Sequence, residues 1–325
     1  IDKEFFAENH IRFYPMNEDK IVHEIIPESE NLVYVAEEME RLQKLGYSEV
    51  KLGYMPDCDG DRGNIVYWDE KQKKAVVLKA QEVFSLSVLA ELTYSIWQHG
   101  TEKDFKPAVV VNCPTSMRID DIADKLGAQV FRAEVGEANV VNLAQEKISE
   151  GYTVRILGEG SNGGNITYPS SVRDPVATIF AIVKLLTIRD CRRKDGTFSK
   201  GLFHIWCEKS GQGYLYKKDF TLSDIMATLP KYTTTGVSEE RALLQVKTQD
   251  KGIFKARFQR VFNEEWNRHK NELNGIYGFA TFKADTTNGT HENKDISYWN
   301  NANGGLKIRF QKEDRSEERR VGKEC

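Results

Sequence analysis

Cysteine is scarce in this sequence: five residues, at 58, 113, 191, 207 and 325, an odd number with no C-x-x-C pair. A disulfide framework is not indicated, and a reducing compartment is expected. His204 and Cys207, with Cys191 nearby, lack a fourth ligand at usable spacing and read as ordinary residues rather than a zinc site. Long apolar runs are missing too. None reaches the roughly 18 residues that cross a bilayer, and no signal peptide opens the chain, so no membrane partner and a cytoplasmic location are expected. Nor is there a basic surplus: 46 Lys and Arg face 49 Asp and Glu, with a pI near 6.2. That balance lacks the electrostatic footprint of a nucleic-acid-binding surface, and no nucleic-acid partner is expected.

What is present suits a globular protein: 325 residues, 40% hydrophobic and 29% charged, enough for two or three domains. The ends are unusual. Ile1 leads straight into DKEFFAENHIRFYP, which reads as a larger protein entered partway through. Residues 315–325, RSEERRVGKEC, are residue for residue the translation of a common short-read sequencing adapter. This tail is set aside from fold reasoning as an artefact, and the rest is expected to be an internal fragment.

Strand and helix patterns alternate through most of the chain. Leu32, Val35, Met39, Leu42 and Leu45 fall at helical spacing over residues 31–46, with Gly46 as the stop. EVKLGYM, NIVYW and AVVLK read as strands, followed by a helix over residues 80–98 with one apolar face. AVVVN, IDDIADKLG, VVNLAQEKIS, TVRIL and VATIFAIVKLL continue the alternation that marks α/β layers. Residues 189–220 read as a loop or inserted strand pair before a helix near LSDIMATL. From about residue 232 the composition shifts, with a helix over GIFKARFQRVFNEEWNRHKNEL and then a Gly- and Asn-rich segment ending in LKIRF.

The most informative stretch is MPDCDGDRGN, residues 55–64. In an extended or looping backbone Asp57, Asp59 and Asp61 point the same way, because side chains alternate with period two. Three convergent carboxylates form a hard-cation site. The EF-hand pattern fails in both registers: starting from Asp57, Arg62 stands where glycine is required and Trp68 where glutamate is; starting from Asp59, Gly63 takes a ligand position. Mg²⁺, which keeps positions for water or a phosphate oxygen, fits better, and Arg62 can hold a phosphate beside it. The cluster therefore points to phosphoryl chemistry.

Two families fit that chemistry. Haloacid dehalogenase-type phosphatases use D-x-D, and DCDGD is similar, but they carry Thr or Val where Asp61 stands and need an acid where this chain has Gly163. The phosphohexomutase superfamily, the phosphoglucomutases and phosphomannomutases, fits more of the chain. DCDGDR resembles its metal loop D-G-D-G-D-R, with Cys58 for the first glycine; IIPESENL resembles H-P-N-P-E; and GEGSNGG resembles the sugar loop G-E-x-S-G-G/H. VGEANV and VRDPVATIFAIVKLL occur in the expected order around it.

Members of that family move a phosphate between the 1- and 6-positions of a hexose through an enzyme phosphoserine. The resemblance implies Mg²⁺ on Asp57, Asp59 and Asp61, Arg62 steadying the phosphoryl group, and Glu159 and Ser161 binding sugar hydroxyls, with a hexose phosphate and a hexose bisphosphate as ligands. It implies an α/β multi-domain fold of mixed sheets flanked by helices, with a smaller α+β C-terminal domain: residues 1–78, 79–231 and 232–314. The family's last phosphate loop, R-x-S-G-T-E-P-x-x-R, is degenerate here, with Asn300, Ala302, Gly304 and Leu306 in place of its Arg, Ser, Thr and Pro. Backbone N–H groups of Asn303, Gly304 and Gly305 are left to cradle a phosphate. Arg173 and Asp174 read as a helix cap ahead of Pro175, and Ala138 removes a basic phosphate contact from residues 136–139. The serine loop, T-A-S-H-N-P, has no counterpart in the sequence, so the chain is expected to be inactive alone. A hydrolase and a non-catalytic sugar-phosphate sensor are the alternatives.

Overall fold

The structure, a computed structural model, describes residues 2–18, 20–161, 163–233, 240, 245–299, 304–312 and 321–323. The chain builds three successive units.

In the first, helices α1 (Asp2–Glu8) and α2 (Ser29–Lys44) precede an antiparallel meander of β1 (Leu52–Pro56), β2 (Gly63–Asp69) and β3 (Lys74–Val77). Leu32 and Met39 of α2 are buried against Met55 and Val66, with Val35 and Ala36 beside them, so the helical spacing read from the sequence is the face that closes on the sheet.

The second unit begins with α3 (Ala80–His99) and continues through β4 (Pro107–Asn112), α4 (Arg118–Leu126), β5 (Gln129–Ala133), α5 (Glu137–Ser149), β6 (Thr153–Glu159), β7 (Gly164–Thr167) and α6 (Pro175–Thr187). Its sheet runs β5-β4-β6-β7, parallel except for β7. Every residue of β4 is buried, as an unalternating apolar run in a parallel sheet should be. Val109 and Val111 face α3 and α4, whereas Ala108 and Val110 face Val140, Leu143 and Ala144 of α5.

α3 departs from its expected single apolar face: Phe84, Ser85, Ser87, Val88, Ala90, Glu91 and Thr93 are buried as well. The helix is packed on nearly all sides, and its polar groups are satisfied in place. Ser87 donates to the Val83 carbonyl (3.1 Å), Thr93 to the Leu89 carbonyl (2.6 Å), and Glu91 takes Arg155 Nε (3.0 Å) and Lys184 Nζ.

Residues 189–220 hold the expected strand pair and, in addition, an unexpected helix. A hairpin of β8 (Cys191–Arg192) and β9 (Phe198–Ser199) is followed by GLFHIWC folded as helix α7 (Leu202–Lys209), then α8 (Leu222–Thr228). Phe203, Trp206 and Cys207 fall at helical spacing and fill the core, which an extended reading of so short an apolar island misses. Trp206 Nε1 donates to Thr228 Oγ1 at 2.8 Å. Replacing Thr228 by Val keeps the shape and strands that N–H, so Thr228→Val should lower stability by about 2 kcal/mol in urea denaturation; an unchanged midpoint would show the bond to be dispensable.

The third unit packs α9 (Lys251–Tyr277) on an antiparallel sheet, order β11-β10-β12-β13, of β10 (Phe279–Asn288), β11 (His291–Asn293), β12 (Gly305–Lys312) and β13 (Val321–Lys323). β10 thus forms from part of what reads as an irregular Gly- and Asn-rich segment, with Gly289 turning the chain at its end. Within the tail set aside above, residues 321–323 pair with β12. Phe262, Phe282, Phe310 and the buried Trp299 close the unit. It meets the second through Glu134, whose N–H donates to the Gly289 carbonyl (2.8 Å) and whose carboxylate accepts the Gly289 N–H (2.9 Å).

Candidate active site

Residues 57–62 connect β1 to β2, and Asp57 organises them. Its Oδ1 accepts the N–H groups of Asp61 and Arg62, both at 3.1 Å, and its Oδ2 accepts Arg62 Nε at 2.7 Å. Gly60, at φ +76, lets the chain double back. Asp57, Asp59 and Asp61 each offer an oxygen, all within 4.8 Å of one another, and they form the one group of this kind among the described residues. The convergence arises from a tight turn wrapped around Asp57, not from the period-two alternation of an extended strand. That corrects the reason the sequence suggests, while the three residues stay together.

The electrostatics suit a cation. Burial would raise the Asp57 carboxyl, but the Arg62 backbone and guanidinium outweigh it and hold it below the ordinary range. Asp61 is pushed up, by burial and then by Asp57 and Asp59, despite Arg173. Glu28, from the IIPESENL stretch, is also raised, by burial and Glu30 against the pull of Arg62. Asn64 Nδ2 donates to the Pro27 carbonyl, bringing that stretch to the loop. An all-oxygen set carrying surplus negative charge is the donor chemistry of a hard divalent ion, and Mg²⁺ fits it.

The second loop joins β6 to β7. Glu159 is buried, its Oε1 accepting Asn112 Nδ2 (2.9 Å) and the Gly136 N–H (2.8 Å). Ser161 is partly exposed beside it. Two glycines permit this turn: a Cβ on Gly158, at φ +146, would lie 2.1 Å from the Gly164 carbonyl oxygen, and one on Gly160 would meet Phe84 at 2.8 Å and Gln81 and Thr115 at 3.0 Å. The two loops touch. A Cβ on Gly163 would lie 3.3 Å from both Asn64 Oδ1 and the Gly63 carbonyl, and one on Gly63 would lie 2.7 Å from Pro175 Cβ.

Asp174 caps α6 as the sequence predicts, accepting the Val176 N–H at 2.8 Å. Arg173 does not share that role. It pairs through Nη2 with Asp61 and lies with Nε 3.0 Å from Glu137 Oε2, joining the metal loop to the start of α5. A charge count could have found it: three crowded carboxylates beside a single arginine call for another cation.

Gly304 lies at the edge of the third unit, held by Lys255, whose Nζ donates to its carbonyl at 2.7 Å. Gly305 packs on Cys113, the residue after Asn112, whose side chain donates to Glu159. Asn303, expected to line the phosphate cradle, lies outside the described residues, as do Asn300 and Ala302. Behind the loop, Lys307 is buried and donates to Met117 Sδ at 3.5 Å. Arg132 donates to the same sulfur (3.4 Å) and to Asp120. Burial, helped by Arg132 and opposed by Cys113, Asp120 and Glu292, brings the Lys307 ammonium down to about 8.

Residues 87–199, which span the sheet, Glu159, Ser161 and Arg173, match the family model for phosphoglucomutase/phosphomannomutase, alpha/beta/alpha domain III. This segment belongs to the phosphohexomutase superfamily. No curated protein is matched. Among solved structures similar to the chain are a Paramecium parafusin (phosphoglucomutase) in its open form, 13% identical with TM-score 0.45, covering 88% of this chain and 41% of that one. A Burkholderia thailandensis phosphoglucomutase/phosphomannomutase family protein is 14% identical with TM-score 0.42 over 72% of this chain and 40% of that one. An Aspergillus fumigatus N-acetylphosphoglucosamine mutase in complex with GlcNAc-6P and magnesium is 14% identical with TM-score 0.33, over 62% and 39%. The chain thus spans about two fifths of the length of these phosphohexomutases.

Proposed function

We propose that this chain is the metal- and sugar-binding part of a phosphohexomutase that exchanges phosphate between the 1- and 6-positions of a hexose. The observation that carries the reading is the turn at residues 57–62 seated directly against the Gly163 end of the domain III hairpin, with Arg173 joining them. Asp57, Asp59 and Asp61 would hold Mg²⁺, which supplies neutralisation of charge on the transferring phosphoryl group. Arg62, its Nε engaged by Asp57, offers its terminal nitrogens to the same phosphoryl group. Glu159 and Ser161 accept and orient sugar hydroxyls, and Gly304 presents backbone to the phosphate that does not transfer. A hexose bisphosphate is the intermediate and a hexose phosphate the substrate, in the cytoplasm.

The phosphatase alternative would make Asp57 the nucleophile and needs a further acid where Gly163 stands. The mutase reading needs a phosphoserine that these 325 residues do not supply. The chain alone should therefore convert no glucose 1-phosphate to glucose 6-phosphate, even with Mg²⁺ and glucose 1,6-bisphosphate. Turnover by the isolated chain would overturn that part of the reading. Cation binding tests the rest: Mn²⁺ followed by electron paramagnetic resonance should bind wild type and bind Asp59→Asn about tenfold more weakly or worse. Equal binding by the variant would remove the metal assignment.

A further inference from the structure

Arg173 lies two residues before the start of α6, whose cap is Asp174, so it is not needed to cap that helix. Its contacts run elsewhere: Nη2 to Asp61 on the metal loop and Nε, at 3.0 Å, toward Glu137 in the first turn of α5. Both acids are partly exposed, at 30% and 29%, and Arg173 itself is 21% exposed, so the bridge lies at the mouth of the site rather than in the core.

Resting on the mutase reading above, we propose that Arg173 competes with the divalent cation for Asp61 and that Glu137 is the acceptor onto which it withdraws. The guanidinium holds Asp61 Oδ2, crowding the carboxylate the metal needs, and a doubly charged ion repels the arginine once seated. Glu137, with Oε2 3.0 Å from Arg173 Nε, gives the displaced side chain a second carboxylate within reach. Arg173 is thus a positioning residue. It keeps the loop closed around the acidic cluster and sets how tightly the cation is held. The contact also reaches the sugar side of the site, because Gly136, next to Glu137, donates its N–H to Glu159. Loading the cation and presenting Glu159 are therefore joined through one arginine.

The test is the affinity of the full chain for Mg²⁺ alone by calorimetry, repeated with Mn²⁺ by electron paramagnetic resonance. Arg173→Gln should bind about three- to tenfold more tightly, since it removes a competitor and a positive charge. Arg173→Lys keeps the charge but loses the planar fork that bridges two carboxylates, and it too should bind more tightly than wild type. Glu137→Gln, which leaves Asp61 as the sole carboxylate partner in the bridge, should bind more weakly. If Arg173→Lys matches wild type while Arg173→Gln tightens, only through-space charge is at work and the competition is refuted. Weaker binding by both Arg173 variants, each folded by its melting temperature, would make Arg173 a support of the site and refute it as well. Should wild type bind neither ion, the metal reading itself falls, and this proposal with it.

Discussion

Gly158→Ala should lose about 4 kcal/mol of stability, because one methyl group meets two separate penalties. The residue sits at φ +146, a backbone conformation reserved in practice for glycine, and its new Cβ would stand 2.1 Å from the Gly164 carbonyl oxygen. Gly158 pairs with Asn165, and Glu159 with Gly164, so relieving that clash means parting β6 from β7 at the point where Glu159 is presented. Gly127→Ala is the control: also at positive φ, +71, but with nothing within 4 Å, it should cost about 1 kcal/mol. Urea denaturation of both variants separates backbone strain from close approach. Equal losses would mean that the hairpin absorbs the methyl group and that its geometry is not set by the glycine.

The second large effect is a pH dependence from Lys307. Its ammonium group titrates near 8 in the folded chain against an ordinary 10.5. Below pH 8 the lysine is protonated in both states, and the cost of burying its charge beside Arg132 is borne in full. Between pH 8 and 10.5 the unfolded chain holds a proton that the folded chain has lost, so stability rises with pH, by about 3 kcal/mol across the window. Above 10.5 the contribution is level. Other groups titrate in the same range, so the measurement is the difference between wild type and Lys307→Met in denaturation at pH 7 and pH 10.5. Lys307→Met should be the more stable at pH 7 and should lack most of the rise. An identical rise in both proteins would show that Lys307 is not its source.

Much of this site is legible from residue order. The aspartates, Arg62 and the glycines of GEGSNGG are local features, each needing only a turn to become effective. What escapes is whatever depends on partners distant in sequence. Arg173 lies 112 residues from Asp61, and its neighbour Asp174 has so clear a capping role that the arginine reads as part of the same signal. α3 misleads for a related reason: Ser87, Thr93 and Glu91 look like an exposed face, but two bond back to their own helix and the third is neutralised by cations from β6 and α6. The GLFHIWC island is too short for periodicity to separate a strand from a helix, and only packing against α3 decides it. In the third unit, the aromatic side chains that close on Trp299 come from α9, β10 and β12, so no single window of sequence reveals that core.

The absent side chains of Gly63 and Gly163 have a mechanical consequence. With Gly63 pressed on Pro175 and Gly163 on Asn64, the first two units meet without room for a methyl group at either glycine. The third unit is attached by a few hydrogen bonds at Gly289, by Gly305 resting on a thiol, and by a lysine that gives up its proton near pH 8. Any rigid-body movement is therefore expected at that joint rather than at the two glycine contacts.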